Sequence, residues 1–234
     1  MSHAPPSEAP GDPPPQYAAR LPDTARLSLE VWRGEQRLGE AALDWWHDDA
    51  RYRLQLGWVG EAPPAAALIE QASSGRVSPH GLLPERFVDR RARRGARAVS
   101  LQCDDVGGAV SFSAVTARAP CVAGMQDGLS WWLQLWAVVA AQPAAPEPGR
   151  AFSVAVARVH GVVESWTFVV EPDADAGALR LVRRPDGAPR FDDLTAELWL
   201  DAASPHRLRR VRVQSMRGEP LRWERLEPAP RDDS

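Results

Sequence analysis

DGLSWWLQLWAVVAAQ, from Asp127 to Gln142, is the one long stretch of this 234-residue chain whose apolar positions follow a helical period. On both sides of it apolar residues alternate instead. Leu129, Trp132, Leu133, Trp136, Ala137 and Ala140 fall on one stripe, and Trp131, Leu135, Val138 and Val139 cover much of the remaining circumference. A helix apolar on so many sides is buried on more than one of them. Asp127 is placed to cap it, its carboxylate accepting from the first free backbone amides, and Pro143 with the following AAPEPG stops it. With about 14 mostly apolar residues between its polar ends, the stretch is too short to cross a hydrocarbon layer of roughly 30 Å. It reads as the plug of a core.

Working outward, the chain before the plug has a period of two. Leu27, Leu29 and Val31 share a face, with Arg26, Ser28, Glu30 and Trp32 opposite, and Gly34-Glu35-Gln36 turns the chain. Ala41, Leu43 and Trp45 then alternate with Ala42, Asp44 and Trp46. After a turn at His47 to Ala50, Tyr52, Leu54, Leu56 and Trp58 continue the pattern. Short polar turns between such runs make the neighbours antiparallel. AAALIEQAS is read as a strand, Ser78 to Gly81 as a turn, and Phe87 with Val88, Val99 with Leu101, and Val110 with Phe112 as three further strands. Beyond the plug, strands are expected around Val154, Trp166, Leu181, Leu198, Val211 and Trp223. The expected fold is mainly β, a curled antiparallel sheet or open barrel of about 10 to 12 strands around one long apolar α-helix. Residues 21–227 are read as a single β-rich domain. Residues 1–20, rich in proline, and residues 228–234 are read as disordered tails.

Composition narrows the partners. A formal charge of -3 gives no general pull toward nucleic acid, and all 28 basic residues are arginine. MSHAPPSEAPGDPPPQ has neither a basic start nor an apolar core, so the chain as written reads as cytoplasmic, unless an upstream signal or anchor precedes it. Cys103 and Cys121 are the only cysteines. They can pair if they lie across adjacent strands, which would fit an oxidising compartment; the bland alternative, two unrelated small core residues, is favoured by their number alone.

Catalytic motifs are weak. Gly128-Leu129-Ser130 begins a nucleophile elbow, but bulky Trp132 stands where its second glycine belongs. His47, His80, His160 and His206 all sit in predicted turns, where solvated turn residues are the simpler reading, and no spacing points to a metal or a cofactor. Two features stand out from that background. Arg86, Arg90, Arg91, Arg93 and Arg94 crowd one hairpin, where they are either solvated or face an anion such as a lipid head group. Trp32, Trp46 and Trp199 each lie opposite their strand's main apolar face, so that face is either covered by other parts of the chain or is a partner surface.

Four segments together resemble a known family. LPDTARLSLEVWRG, SSGRVSPHGLLPERFVDRR, GMQDGLSWWLQLWAVVAAQP and LTAELWLDAASPHRLRRVRV are similar to the bacterial family called domain of unknown function 3108, over about Leu21 to Glu227. The resemblance implies a β-rich, exported or membrane-tethered envelope protein, in the periplasm or cell envelope, with membrane association only through an upstream anchor. It carries no catalytic residues across. The expected function is therefore a non-enzymatic envelope protein binding an apolar or amphipathic, lipid-like ligand, or a partner protein. Trp132 and Trp136 with the arginines of the hairpin are the candidate ligand residues. The alternatives are a hydrolase using acidic and histidine residues from several turns, or an assembly protein using its tryptophan face.

Overall fold

Alternation becomes strand wherever the side chains of one face have something to cover. In a computed structural model, the structure describes residues 14–60, 69–91, 95–104, 107–175, 177–185, 193–203, 206–216 and 218–226. The chain opens with β1 (Ala25–Arg33), β2 (Gln36–His47), β3 (Arg51–Val59), β4 (Ile69–Ser78), β5 (Gly81–Arg91), β6 (Gly95–Asp104), β7 (Gly107–Phe112) and β8 (Arg118–Pro120). A two-residue strand, β9 (Gln126–Asp127), leads into helix α1 (Ser130–Ala140). After it come β10 (Ala151–Arg158), β11 (Val162–Glu171), β12 (Ala178–Arg183), β13 (Leu194–Asp201), β14 (Leu208–Ser215) and β15 (Leu221–Arg225).

All belong to one sheet, in the order β8-β7-β6-β5-β4-β3-β2-β1-β15-β14-β13-β12-β11-β10-β9. Each neighbour is antiparallel except β9 with β10, which run parallel. The first and last long strands pair, Leu29 opposite Arg225 and Val31 opposite Trp223, so the halves before and after the helix share one hydrogen-bonded surface. That surface is open: the order begins at β8 and ends at β9 without closing. Among the described residues fifteen strands stand where about 10 to 12 were expected. β8 and β9, with three and two residues, are too short for an alternation to show in sequence.

The helix is also shorter than the stretch that announced it. It has 11 residues, about three turns, and is not the long helix expected from Asp127 to Gln142. At its start Asp127 pairs with Ala157 as part of β9. Its Oδ1 accepts from the amides of Leu129 (2.9 Å) and Ser130 (2.8 Å), while its own amide donates to Ser130 Oγ (2.8 Å). The expected capping contact is there, made from just outside the helix. At the other end the Ala141 amide donates to Ala137 O before Pro143 takes the chain away.

Every residue of α1 is buried, as its all-round apolarity requires. Trp131 packs on Phe168 (ring centroids 5.2 Å apart) and Trp166 (5.8 Å) of β11, and Trp132 on Trp223 (5.1 Å) of β15. Gln134 bonds the start of β5, where Leu82 N–H donates to its Oε1 (2.8 Å) and its Nε2 donates to His80 O (2.7 Å). These contacts come from the fourth, ninth and thirteenth strands of the order. An open sheet that meets a single helix through all three has to bend around it.

Part of the expected N-terminal tail belongs to the packed structure. Residues 14–20 run as a strap beside the end of the helix, where Ala19 N–H donates to Pro79 O (3.1 Å) and Arg20 N–H to Ala137 O (2.9 Å). Tyr17 Oη accepts from Ser153 N–H of β10 (3.0 Å), and its ring meets Phe152 edge-on. The strap thereby ties the β4–β5 turn, the helix and β10 together. Residues 1–13 and 227–234, the rest of the expected tails, lie outside the described residues.

Candidate functional site

A polar constellation at the helix start lies sealed in the interior. Tyr52 Oη and Ser73 Oγ are 2.8 Å apart, and Ser73 Oγ donates to Asp127 Oδ2. Burial pushes the Asp127 carboxyl above its ordinary range, against the opposing effect of hydrogen bonds from Ser73, Ser130 and Leu129; burial, with Asp127 nearby, pushes the Tyr52 phenol well up. All three groups are buried, as is Ser130, so nothing can reach them without unfolding the helix start. Their chemistry is that of a buried cap, and Ser130 is no nucleophile in this setting.

The expected ligand residues do not come together. Trp132 and Trp136 face inward from the helix. On β5, Phe87 faces the helix, since a β-carbon on Gly128 would stand 2.9 Å from its ring, and the adjacent Arg86 is exposed. Alternation therefore puts Arg86 on the side of the sheet away from both tryptophans. Arg90 pairs with Glu70 (3.3 Å) and Arg91 with Asp89 (3.0 Å), so these cations have anions of their own chain beside them. Arg93 and Arg94 lie outside the described residues.

The three tryptophans of the opposite register do not form one apolar surface either. Trp199 is only 8% exposed. Arg180 and Arg210, from the strands on either side, stack over its ring at 5.4 and 5.3 Å, and its Nε1 donates to Asp173 (2.8 Å). Trp32 lies under Arg222, at 5.0 Å. Trp46 alone remains open, at 43%. Glu197 ties this outer face together by accepting from Arg180 (2.5 Å) and Arg212 (2.9 Å), and Arg210 pairs with Glu224. At Trp199 and Trp32 this face is covered, and the covering groups are arginines of adjacent strands.

A cleft of about 590 Å³ opens instead at the C-terminal end of α1. Its walls include Ala140, Gln142, Pro143 and Ala202, with Arg20 from the strap and His206 from the β13–β14 connection. The size falls within the roughly 300–1,000 Å³ of small-molecule sites. Sequence reasoning missed it because Arg20 and His206 come from opposite ends of the chain. One signal was available: His206 sits in a turn, and it is the one non-glycine among the described residues with positive φ (+50°).

Two half-buried cysteines complete the picture. Cys103 of β6 and Cys121 form a disulfide, with Cα atoms 5.7 Å apart. The favoured reading of unrelated core residues is thus corrected. Register brings them together, because Cys103 lies opposite Gly108 of β7 and Cys121 N–H donates to Gly108 O on that strand's other side. Among the described residues no three His, Cys, Asp or Glu side chains gather as a metal site, and no helix is long and apolar enough to cross a membrane.

Fold and site define a mainly β, single-sheet protein with a plugged core and a cleft at the plug's end. Searches of known families, characterised proteins and solved structures find no match to it.

Proposed function

We propose that the protein is a non-enzymatic component of the bacterial envelope that binds an apolar or amphipathic, lipid-like ligand. The observation that carries this reading lies on one side of α1. Trp132, Trp136 and Ala140 are spaced i, i+4, i+8 and so share a helix face, with Ala140 in the wall of the cleft. The indole Nε1 atoms of Trp132 and Trp136 are buried on that face without a hydrogen-bond partner among the described residues. Buried donors of this kind normally have an acceptor, and an oxygen-bearing guest entering past Ala140 would supply one. The disulfide supports the compartment, since such bonds persist where the surroundings are oxidising.

A partner protein is the second reading, favoured by the one exposed tryptophan, Trp46. The hydrolase reading draws least support. His47 is engaged with Pro22 O and stacks on Trp45, His206 with Asp201 O, and among the described residues the cleft wall contains no carboxylate. The test is lipid extraction and mass spectrometry of protein purified in its oxidised form. A co-purifying amphiphile is expected; a ligand-free protein that also ignores added octyl amphiphiles would remove the reading.

A further inference from the structure

We infer that the cleft at the end of α1 takes the anionic head group of an amphiphile, with His206 and Arg20 as the groups that select it. This rests on the ligand-binding reading above and adds the charge of the ligand to it.

His206 is the better-built half. Its φ of +50° is one that side-chain-bearing residues rarely hold, and histidine is among the few that tolerate it. The residue is only 5% exposed, its amide donates to Ala203 O (2.9 Å), and its Nδ1 lies 2.9 Å from Asp201 O. A carbonyl can only accept, so Nδ1 carries a hydrogen and the ring is fixed. That leaves Nε2 as the ring's uncommitted polar atom, on a residue that lines the cleft; because Nδ1 already carries a hydrogen, Nε2 donates to an anion only in the imidazolium form, so head group and proton bind together.

Arg20 faces it from the strap. Its backbone is anchored by the bond to Ala137 O, while among the described residues no carboxylate pairs with its guanidinium. A helix C-terminus by itself repels anions. Here three of its last carbonyls are already occupied, Ala137 O by the amides of Arg20 and Ala141, Val139 O by the Gln142 amide, and Val138 O by Gln142 Nε2. Among the described residues the cleft wall holds no acidic side chain, and Arg20 gives it positive charge. Ala140, Pro143 and Ala202 supply apolar wall for the first carbons of a tail.

Calorimetric titration of the full oxidised chain at neutral pH tests the inference, using octanoate, octyl glucoside, octyltrimethylammonium and acetate, all below micelle formation. Octanoate is expected to bind about tenfold more tightly than the neutral or cationic amphiphile, and acetate more weakly than octanoate. Arg20→Gln keeps the backbone bond, and His206→Asn keeps a residue that tolerates positive φ. Each should lower octanoate affinity about fivefold or more while leaving octyl glucoside unchanged. Should His206→Asn fail to fold, Arg20→Gln, at an exposed position, carries the test alone. Equal affinity for all three amphiphiles, or no effect of the variants on the preference, overturns the head-group assignment and leaves the ligand-binding reading standing. If none of the amphiphiles binds, both fall. Octanoate failing to bind while vesicles of phosphatidylglycerol do would overturn it in favour of membrane docking.

Discussion

The side-chain amide of Gln134 occupies the space where a β-carbon on Gly81 would have to stand. That carbon would lie 2.2 Å from Gln134 Oε1. Gly81 also has φ of +98°, a conformation that only glycine holds without strain. The β4–β5 turn is thus built against the middle of the buried helix, and the amide that fills the gap is itself held by Leu82 N–H and His80 O.

Gly81→Ala should therefore destabilise by about 2–4 kcal/mol, combining backbone strain with the loss of the Gln134 bonds. Urea denaturation gives the value. In Gln134→Ala the clash is absent, so the double variant should lose clearly less than the sum of the two single ones. Strict additivity would show that the two residues do not share this space.

Asp127 gives a pH dependence with a definite sign. Its carboxyl is raised by burial in the folded state, so between the unfolded value of about 3.9 and the raised folded value the native protein holds a proton the unfolded chain has lost. Its contribution is fully present below the unfolded value and is lost as pH rises through the folded one. Asp127→Asn keeps an acceptor for the Leu129 and Ser130 amides and does not titrate. The stability of the native protein relative to this variant should fall as pH rises from acid toward neutrality, and thermal melts across that range check it. A difference that grows with pH would contradict the assignment.

The disulfide joins residues 18 positions apart and pins the β6–β8 end of the sheet to the segment leading into β9. Replacing both cysteines by serine should destabilise by about 3 kcal/mol, the size expected for closing a loop of this length. Denaturation curves with and without reductant should differ by a similar amount in the native protein and coincide in the variant.

The two outward tryptophans of β2 and β13 should behave oppositely. Trp199→Ala strips the ring from between Arg180 and Arg210 and removes one of the two donors to Asp173, so a loss of about 3 kcal/mol or more is expected. Trp46→Ala, at a solvent-exposed position, should stay within about 0.5 kcal/mol. Equal effects in chemical denaturation would mean that the arginine covering contributes nothing.

What the sequence determined by itself was periodicity. Alternation at Leu27, Leu29 and Val31, and again at Ala196, Leu198 and Leu200, separates an inner from an outer face without reference to anything distant, because the direction of each side chain follows from the backbone repeat. The apolar circumference of the stretch around Trp136 likewise required burial, and Asp127 showed where the helix is capped. Only the tertiary structure decided what lies across from what. Cys103 meets Cys121 through the register of β6, β7 and β8; Trp199 is covered because β12 and β14 are its neighbours; Arg20 and His206 share a cleft because the strap and the β13–β14 connection reach the same helix end. Such pairings depend on strand order and register, which are settled by the packing of the whole sheet on its plug, and no local pattern encodes them.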